Sequence, residues 1–330
     1  MRSSTSSSDA PPAADTAPRM TLRRRTVHAL VALAVIFLVA EVLCRFGAPR
    51  WVAIEAGREQ EYRAAIAAAP PGAASAKRAL IMGNSLLNQG VNLKALRMQI
   101  SDGINLQRVM IEDTRYFDWL YGTKKLLADG ARPDLVILVH SPDQFIASTL
   151  RGDYTAYRMM RFRDVFAAGR RLSLSNTQTA DLALSNLSAA LGQRTNVRRR
   201  VMLAINPKLR EMMPLLTARP EPQIAIANAV EVARQRLLEM QTVAAAYNAR
   251  FILVIPPIAD KTAPALTDAM IEAGRQAGVT VLVPVHPTQL DRDDYVDGYH
   301  LNAIGAKIFT DHLAEQLRNL AHDKTNPATP

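Results

Sequence analysis

Cysteine is almost missing from this chain. Among 330 residues only Cys44 occurs, so no intrachain disulfide can form and the fold has to rest on core packing. Aromatic residues are scarce too, at 5%, and they are not interleaved with basic residues as a base-stacking surface requires, which disfavours nucleic-acid binding. No Cys/His or His/carboxylate group falls at metal-ligand spacing. No glycine-rich phosphate loop occurs either. No metal and no organic cofactor is therefore expected. Acidic residues are the minority charge, 30 against 40 Lys and Arg, which leaves a net charge of +10. Internal repeats are absent. Hydrophobic residues make up 48%, enough for the core of one large domain with appendages.

Only one long hydrophobic run exists. Residues 1–18 are rich in Ser, Ala, Pro and Thr, too poor in large apolar side chains to offset ordering entropy, so a disordered tail is expected. Arg19, Arg23, Arg24 and Arg25 follow, then an apolar stretch over residues 27–47. A spanning helix needs roughly 20 residues. The run reaches that length with His28, Glu41 and Arg45 near its ends; Arg45 can snorkel, and Glu41 is the awkward residue. Arginines upstream place residues 1–26 in the cytoplasm by the positive-inside rule. The expected arrangement is a single pass through the inner (cytoplasmic) membrane, with the rest of the chain on the extracytoplasmic, periplasmic side. A cleaved signal peptide is the rival reading. It finds no small-x-small site, and Glu41-Val42-Leu43 before Cys44 lacks the small residues of a lipoprotein site.

Beyond the anchor, residues 48–76 read as a stalk and linker interrupted by Pro70-Pro71-Gly72, and a folded domain is expected over 77–330. Strands are predicted at 78–82, 107–111, 134–139, 250–255 and 280–284. Helices are predicted at 86–100, 117–127, 224–247, 263–277 and 303–320. That alternation implies βαβ units: a three-layer α/β/α fold with a five-stranded parallel sheet, flavodoxin-like. Ligands bind beyond the carboxyl ends of the strands in such sheets. One segment breaks the rhythm, a helical insert over 151–222. Its first sixty residues hold 12 basic and 3 acidic side chains, nearly the whole excess charge of the chain.

Two motifs sit just after strands. Gly83-Asn84-Ser85-Leu86 joins the first strand to a helix, where a serine gains the helix N-terminus as support for developing negative charge. Read alone, Ser85 is as well explained as a helix cap. Asp297-Gly298-Tyr299-His300-Leu301-Asn302 follows the last strand. A serine nucleophile needs a base, and the base needs a carboxylate that fixes its tautomer; Asp297 and His300 can fill both places. Read alone, this stretch is a solvated loop with Asn302 as a cap.

Together the two motifs resemble those of the SGNH/GDSL hydrolase superfamily. Gly83-Asn84-Ser85-Leu86 looks like its nucleophile block, with Asn84 where Asp is commoner, and Asp297-x-x-His300, with Gly305 further on, looks like its second block. The resemblance implies the α/β/α fold, and esterase, thioesterase or acyltransferase chemistry without a cofactor. Two features depart from it. The second strand runs into Glu112-Asp113-Thr114-Arg115 without the expected glycine. Asp143 stands where an asparagine is expected after the third strand, with Ser141 in place of the preceding glycine. An ionised Asp accepts hydrogen bonds and donates none, and a lost oxyanion-hole donor costs about 10² to 10³ in rate.

Three accounts stay open: a hole built from the Ser85 N–H with Asn88, Thr114 or Gln144; a divergent enzyme for an activated acyl donor; or an inactive relative. Asn84, Asp143 and His140 are expected around the site. His286, His312 and His322 read as surface or helix residues. The function expected from residues and resemblance is a serine-dependent O-acyl ester hydrolase or acyltransferase acting outside the cytoplasm on an acyl ester, with a cell-envelope glycan as the suggested carrier. The alternative is an inactive binding or scaffold component of an envelope polysaccharide-modifying complex. Expected partners are the bilayer through 27–47, an envelope protein or anionic lipid through the basic insert, and no nucleic acid.

Overall fold

The computed structural model describes residues 22–47, 52–67, 76–206 and 226–322. Most of the predicted tail, the Pro-Pro-Gly linker and residues 207–222 of the insert lie outside these.

In chain order, helix α1 (Leu22–Val42) runs into a π-helical turn at Leu43–Gly47, and α2 covers Ala53–Ala67. Then come β1 (Lys77–Gly83), α3 (Ser85–Gly90), α4 (Leu93–Ile100), β2 (Ile104–Met110), α5 (Tyr116–Ala128), β3 (Leu135–Val139) and α6 (Pro142–Ile146). The insert supplies α7 (Asp153–Met159), α8 (Phe162–Arg171), α9 (Asn176–Leu187), α10 (Ala189–Gly192) and α11 (Arg194–Ile205). The chain finishes with α12 (Ile226–Ala245), β4 (Arg250–Val254), α13 (Ala263–Ala277), β5 (Thr280–Leu282) and α14 (Ala303–His322).

The sheet has five strands in the order β2-β1-β3-β4-β5, all paired in parallel. This is the three-layer α/β/α architecture expected from the sequence. Period-two side-chain alternation explains it. Leu80, Met82, Val136, Leu138, Phe251 and Leu253 enter one core with Trp119, Leu237 and Met270 from α5, α12 and α13. Ala79, Ile81, Leu135, Ile137, Ile252 and Val254 enter the other, with Leu96 of α4 and Phe309 and Leu313 of α14. Burial on both faces is why the central strands read as continuous apolar runs.

Several boundaries differ from the sequence reading, each for a physical reason. β2 starts at Ile104, because Asn105 and Gln107 can be polar on an edge strand that is covered on one side only. The helix expected over 86–100 breaks at Val91-Asn92, where the Asn92 side chain accepts from Ala95 N–H at 3.1 Å and starts a new helix. β5 stops at Leu282, since Pro284 has no N–H to add to the ladder. The insert, expected as helical, forms helices; Ser175 caps α9 by accepting from Gln178 N–H.

Helix α2, expected as part of a stalk, lies along the exposed edge of β2. Glu61 accepts from Met110 N–H at 3.0 Å and from Arg108 Nε at 2.7 Å. Glu55, 1% exposed, pairs with Arg58 and accepts from the Tyr154 hydroxyl of α7. An uncovered edge strand offers a row of unpaired N–H groups to other chains, and α2 covers that row.

Candidate active site

The strand order reverses at β1: the chain moves outward to β2 and then back across to β3. The crevice at such a reversal is where open α/β sheets bind ligands, and Ser85 is the first residue of the helix after β1. Gly83 permits the tight exit, because a Cβ there would lie 2.8 Å from Val139 O and 2.9 Å from Leu87 Cβ.

The helix cap is Asn84, not Ser85. Fully buried Asn84 accepts from Leu86 N–H at 3.0 Å and donates through Nδ2 to Thr114 O at 3.0 Å. Both partners are backbone groups of fixed polarity, so the orientation of the amide is settled. Its second Nδ2 hydrogen goes to Gln144 Oε1 at 2.7 Å. An aspartate at position 84 could not make these two donations.

The second motif forms a short antiparallel turn. Tyr295 bridges Leu301, Val296 N–H bonds His300 O at 2.8 Å, and Gly298 takes a φ of +78° at the bend. Asp297 Oδ1 accepts from the N–H of Tyr299 and of His300, at 3.0 and 2.7 Å. Its Oδ2 lies 2.8 Å from His300 Nδ1. His300 Nε2 lies 3.0 Å from Ser85 Oγ. Burial acts to raise the Asp297 pKa, but the imidazole and the two N–H donors outweigh it and hold the carboxyl below its ordinary value. The three side chains named from the sequence are therefore joined in one hydrogen-bonded line.

Other candidates divide. Ser85 N–H lies in the first turn of α3, where no intrahelical acceptor exists. Gln144, half-buried, gives its oxygen to Asn84 and so keeps its Nε2 donor. Asn88 is exposed one turn along α3, with its oxygen taken by Arg108 at 3.3 Å. The Thr114 hydroxyl, fully buried, donates to Ile111 O and accepts from Trp119 Nε1, both at 2.8 Å, so that hydroxyl is committed to the loop. His140 directly follows β3. It is fully buried, neither ring nitrogen has a hydrogen-bond partner among the described residues, and burial with the nearby Arg115 charge pushes its pKa down to about 3. It is a neutral core residue that does not bond to Ser85, Asp297 or His300.

Tyr299 joins the site in a way the sequence does not assign. Its hydroxyl lies 3.0 Å from Ser141 Oγ and donates to Asp143 Oδ2 at 3.4 Å, so it links the His300 turn to the β3 exit. Its place inside the Asp-x-x-His motif was the available signal. Leu86, Ile258, Ala263 and the Tyr299 ring form a small apolar cluster next to Ser85. A cavity of about 200 Å³ lies elsewhere, behind β2, between Arg58, Tyr62, Trp119 and Tyr154.

No protein-family model matches the sequence, and no curated protein matches it. Among solved structures it is similar to LAE5, an alpha/beta hydrolase enzyme from the metagenome of Lake Arreo, Spain, at 14% identity over 74% of this chain and 98% of that one, with a TM-score of 0.39. It is similar to TesA at 12% identity over 74% of this chain and 99% of that one, TM-score 0.37. It is also similar to the acetyl xylan esterase Est2A from the rumen bacterium Butyrivibrio proteoclasticus, at 10% identity over 76% of this chain and 65% of that one, TM-score 0.37. Likenesses at this level transfer no residue roles.

Proposed function

We propose that the protein is a serine-dependent O-acyl ester hydrolase or acyltransferase of the SGNH type. The observation that carries the reading is the continuous line from Asp297 Oδ2 through His300 to Ser85 Oγ, at 2.8 and 3.0 Å. Ser85 Oγ attacks the acyl carbonyl while His300 Nε2 takes its proton, and Asp297 stabilises the imidazolium. The tetrahedral oxyanion is met by Ser85 N–H and by Gln144 Nε2. Collapse breaks the ester bond, His300 returns the proton to the leaving alcohol, and the acyl group stays on Ser85. Water or a second alcohol, deprotonated by His300, then removes it; these two outcomes share the same triad.

The location belongs to the same proposal. Residues 24–47 form one helical stretch long and apolar enough to cross a membrane, and the arginines before it orient the domain outward. An acyl ester carried on a cell-envelope glycan is the substrate class that fits such a location.

A second reading, an inactive binding or scaffold component, draws on one feature. Asp143 and Glu112-Asp113 stand where the family carries its Asn and Gly donors. The experiment that separates the two is covalent labelling of the full chain by a fluorophosphonate, read by intact mass. Labelling that disappears in Ser85→Ala and His300→Ala supports the enzyme. A folded protein that takes up no probe supports the binding module.

A further inference from the structure

Glu41 is the only acidic residue within the apolar span at residues 24–47. A carboxylate in such a span is costly unless it is paired. Arg45, one turn along, pairs with it at 2.6 Å, and its other partners lie in the insert: Ser188 Oγ at 2.7 Å, and the N–H groups of Ala189 and Ala190, each at 3.0 Å. Arg45 donates to Leu187 O at 2.8 Å, and Gln193 Nε2 donates to Cys44 O at 3.0 Å. The distal end of α1 is thus fixed to residues 187–193.

Helix α11 starts directly after Gln193. On one side Asn196 and Leu203 are half-buried, and Asn196 Oδ1 accepts from Arg151 at 2.9 Å. On the other side Val197, Val201 and Ile205, at four-residue spacing, are 44%, 50% and 79% exposed. Arg198 and Arg200 flank that stripe, and Arg199 lies on the opposite side of the helix. All three are exposed and form no ion pair among the described residues, whereas Arg194 pairs with Asp181. The same Arg151 donates to Glu112 O at 2.7 Å, just past the carboxyl end of β2. So α11 is tied through Arg151 to the loop that leaves β2, at the same carboxyl end of the sheet where Ser85 follows β1.

We infer that α11 lies in the headgroup layer of the anionic bilayer crossed by α1, and holds the Ser85 end of the sheet beside that surface. The inference rests on the anchor reading of α1 and not on the chemistry of Ser85. Val197, Val201 and Ile205 enter the acyl boundary while Arg198 and Arg200 on either side of them reach lipid phosphates. Charge complementarity and continuity with α1 both point to lipid as the occupant. The site would then meet acyl esters carried at the membrane surface.

The test uses the full chain with Cys44→Ser and Val201→Cys, labelled with an environment-sensitive fluorophore. It is placed in nanodiscs of phosphatidylcholine with and without phosphatidylglycerol. With the anionic lipid the emission should shift to the blue and be quenched by lipids carrying a nitroxide near the headgroup. A label at Ser101→Cys, at the opposite end of the sheet, should stay in water. Joint Arg198→Glu, Arg199→Glu and Arg200→Glu substitution should abolish the shift and the quenching. A protein that enters the discs but leaves the Val201 label solvated overturns the inference and favours a protein partner. So does quenching that survives charge reversal or is equal at position 101. Failure of the chain to enter the discs removes the anchor reading and this inference together, and leaves the Ser85 labelling result untouched.

Discussion

Asn84 donates to Gln144 Oε1 across 2.7 Å, and that bond decides which end of the Gln144 amide remains a donor. Gln144→Ala should slow fluorophosphonate acylation by about 10² to 10³ and, by leaving a buried Asn84 hydrogen unpaired, cost about 1–3 kcal/mol of stability. Asn84→Asp should do similar harm by a different route. The new carboxylate would draw Gln144 Nε2 toward itself and turn the glutamine oxygen toward the reacting centre. Acylation rates of the two variants check this; wild-type rates in both would remove Gln144 from the oxyanion hole.

Asp297→Asn should lower the acylation rate by about 10⁴. The asparagine NH₂ would face His300 Nδ1 and force the tautomer whose Nε2 carries hydrogen, leaving no base for Ser85. Because its neighbours hold the Asp297 carboxyl below its ordinary value, it stays ionised at about pH 5. Its stabilising contribution is lost only as pH falls through that lowered value. Acid sensitivity of labelling between about pH 7 and 5 therefore does not originate in this carboxyl. A rate profile of wild type across that range, beside the slow Asp297→Asn variant, tests both statements.

Asp118 should make stability fall as pH rises. Burial pushes its carboxyl up to about 6, against hydrogen bonds from Thr155 and from the N–H groups of Arg151 and Arg115. The native state thus holds this proton more tightly than the unfolded state. The contribution is complete below the ordinary aspartate value and is lost through about pH 6, on the order of 1–3 kcal/mol. Urea unfolding at about pH 4 and 7 should show wild type losing stability relative to Asp118→Asn. Parallel behaviour of the two proteins would contradict it.

Glu61→Ala should release α2 from the sheet edge. Its carboxylate serves Arg108 and Met110 N–H, and both side chains of the pair are about a fifth exposed, at 21% and 23%. After allowance for that exposure the loss is about 1–2 kcal/mol. Hydrogen exchange at Met110 should speed up, and the bared β2 edge should raise self-association in sedimentation. Unchanged protection at Met110 would mean that α2 is held by other contacts.

Much of this architecture was legible without coordinates, because its causes are local. Strands such as Leu135–Val139 are apolar throughout since both faces are covered, and Ser85 and His300 each follow a strand within a short motif. What escaped reading depended on partners far along the chain. Asn84 looked like a departure from a family pattern until its amide was seen between Thr114 and Gln144, 30 and 60 residues away. That the Thr114 hydroxyl is taken up by Ile111 O and Trp119 Nε1, and that His140 is fully buried, also depends on packing that the local sequence does not show.

The sequence by itself determined the α/β alternation, the apolar span and the residues able to do serine chemistry, since periodicity and functional groups are properties of neighbouring residues. Tertiary structure alone decided that Ser85 meets His300 across 215 positions, that α2 covers an edge strand, and that Glu41 is paired with the insert. Those outcomes depend on which distant donors and acceptors the packed sheet brings within about 3 Å, and linear order does not contain that distance.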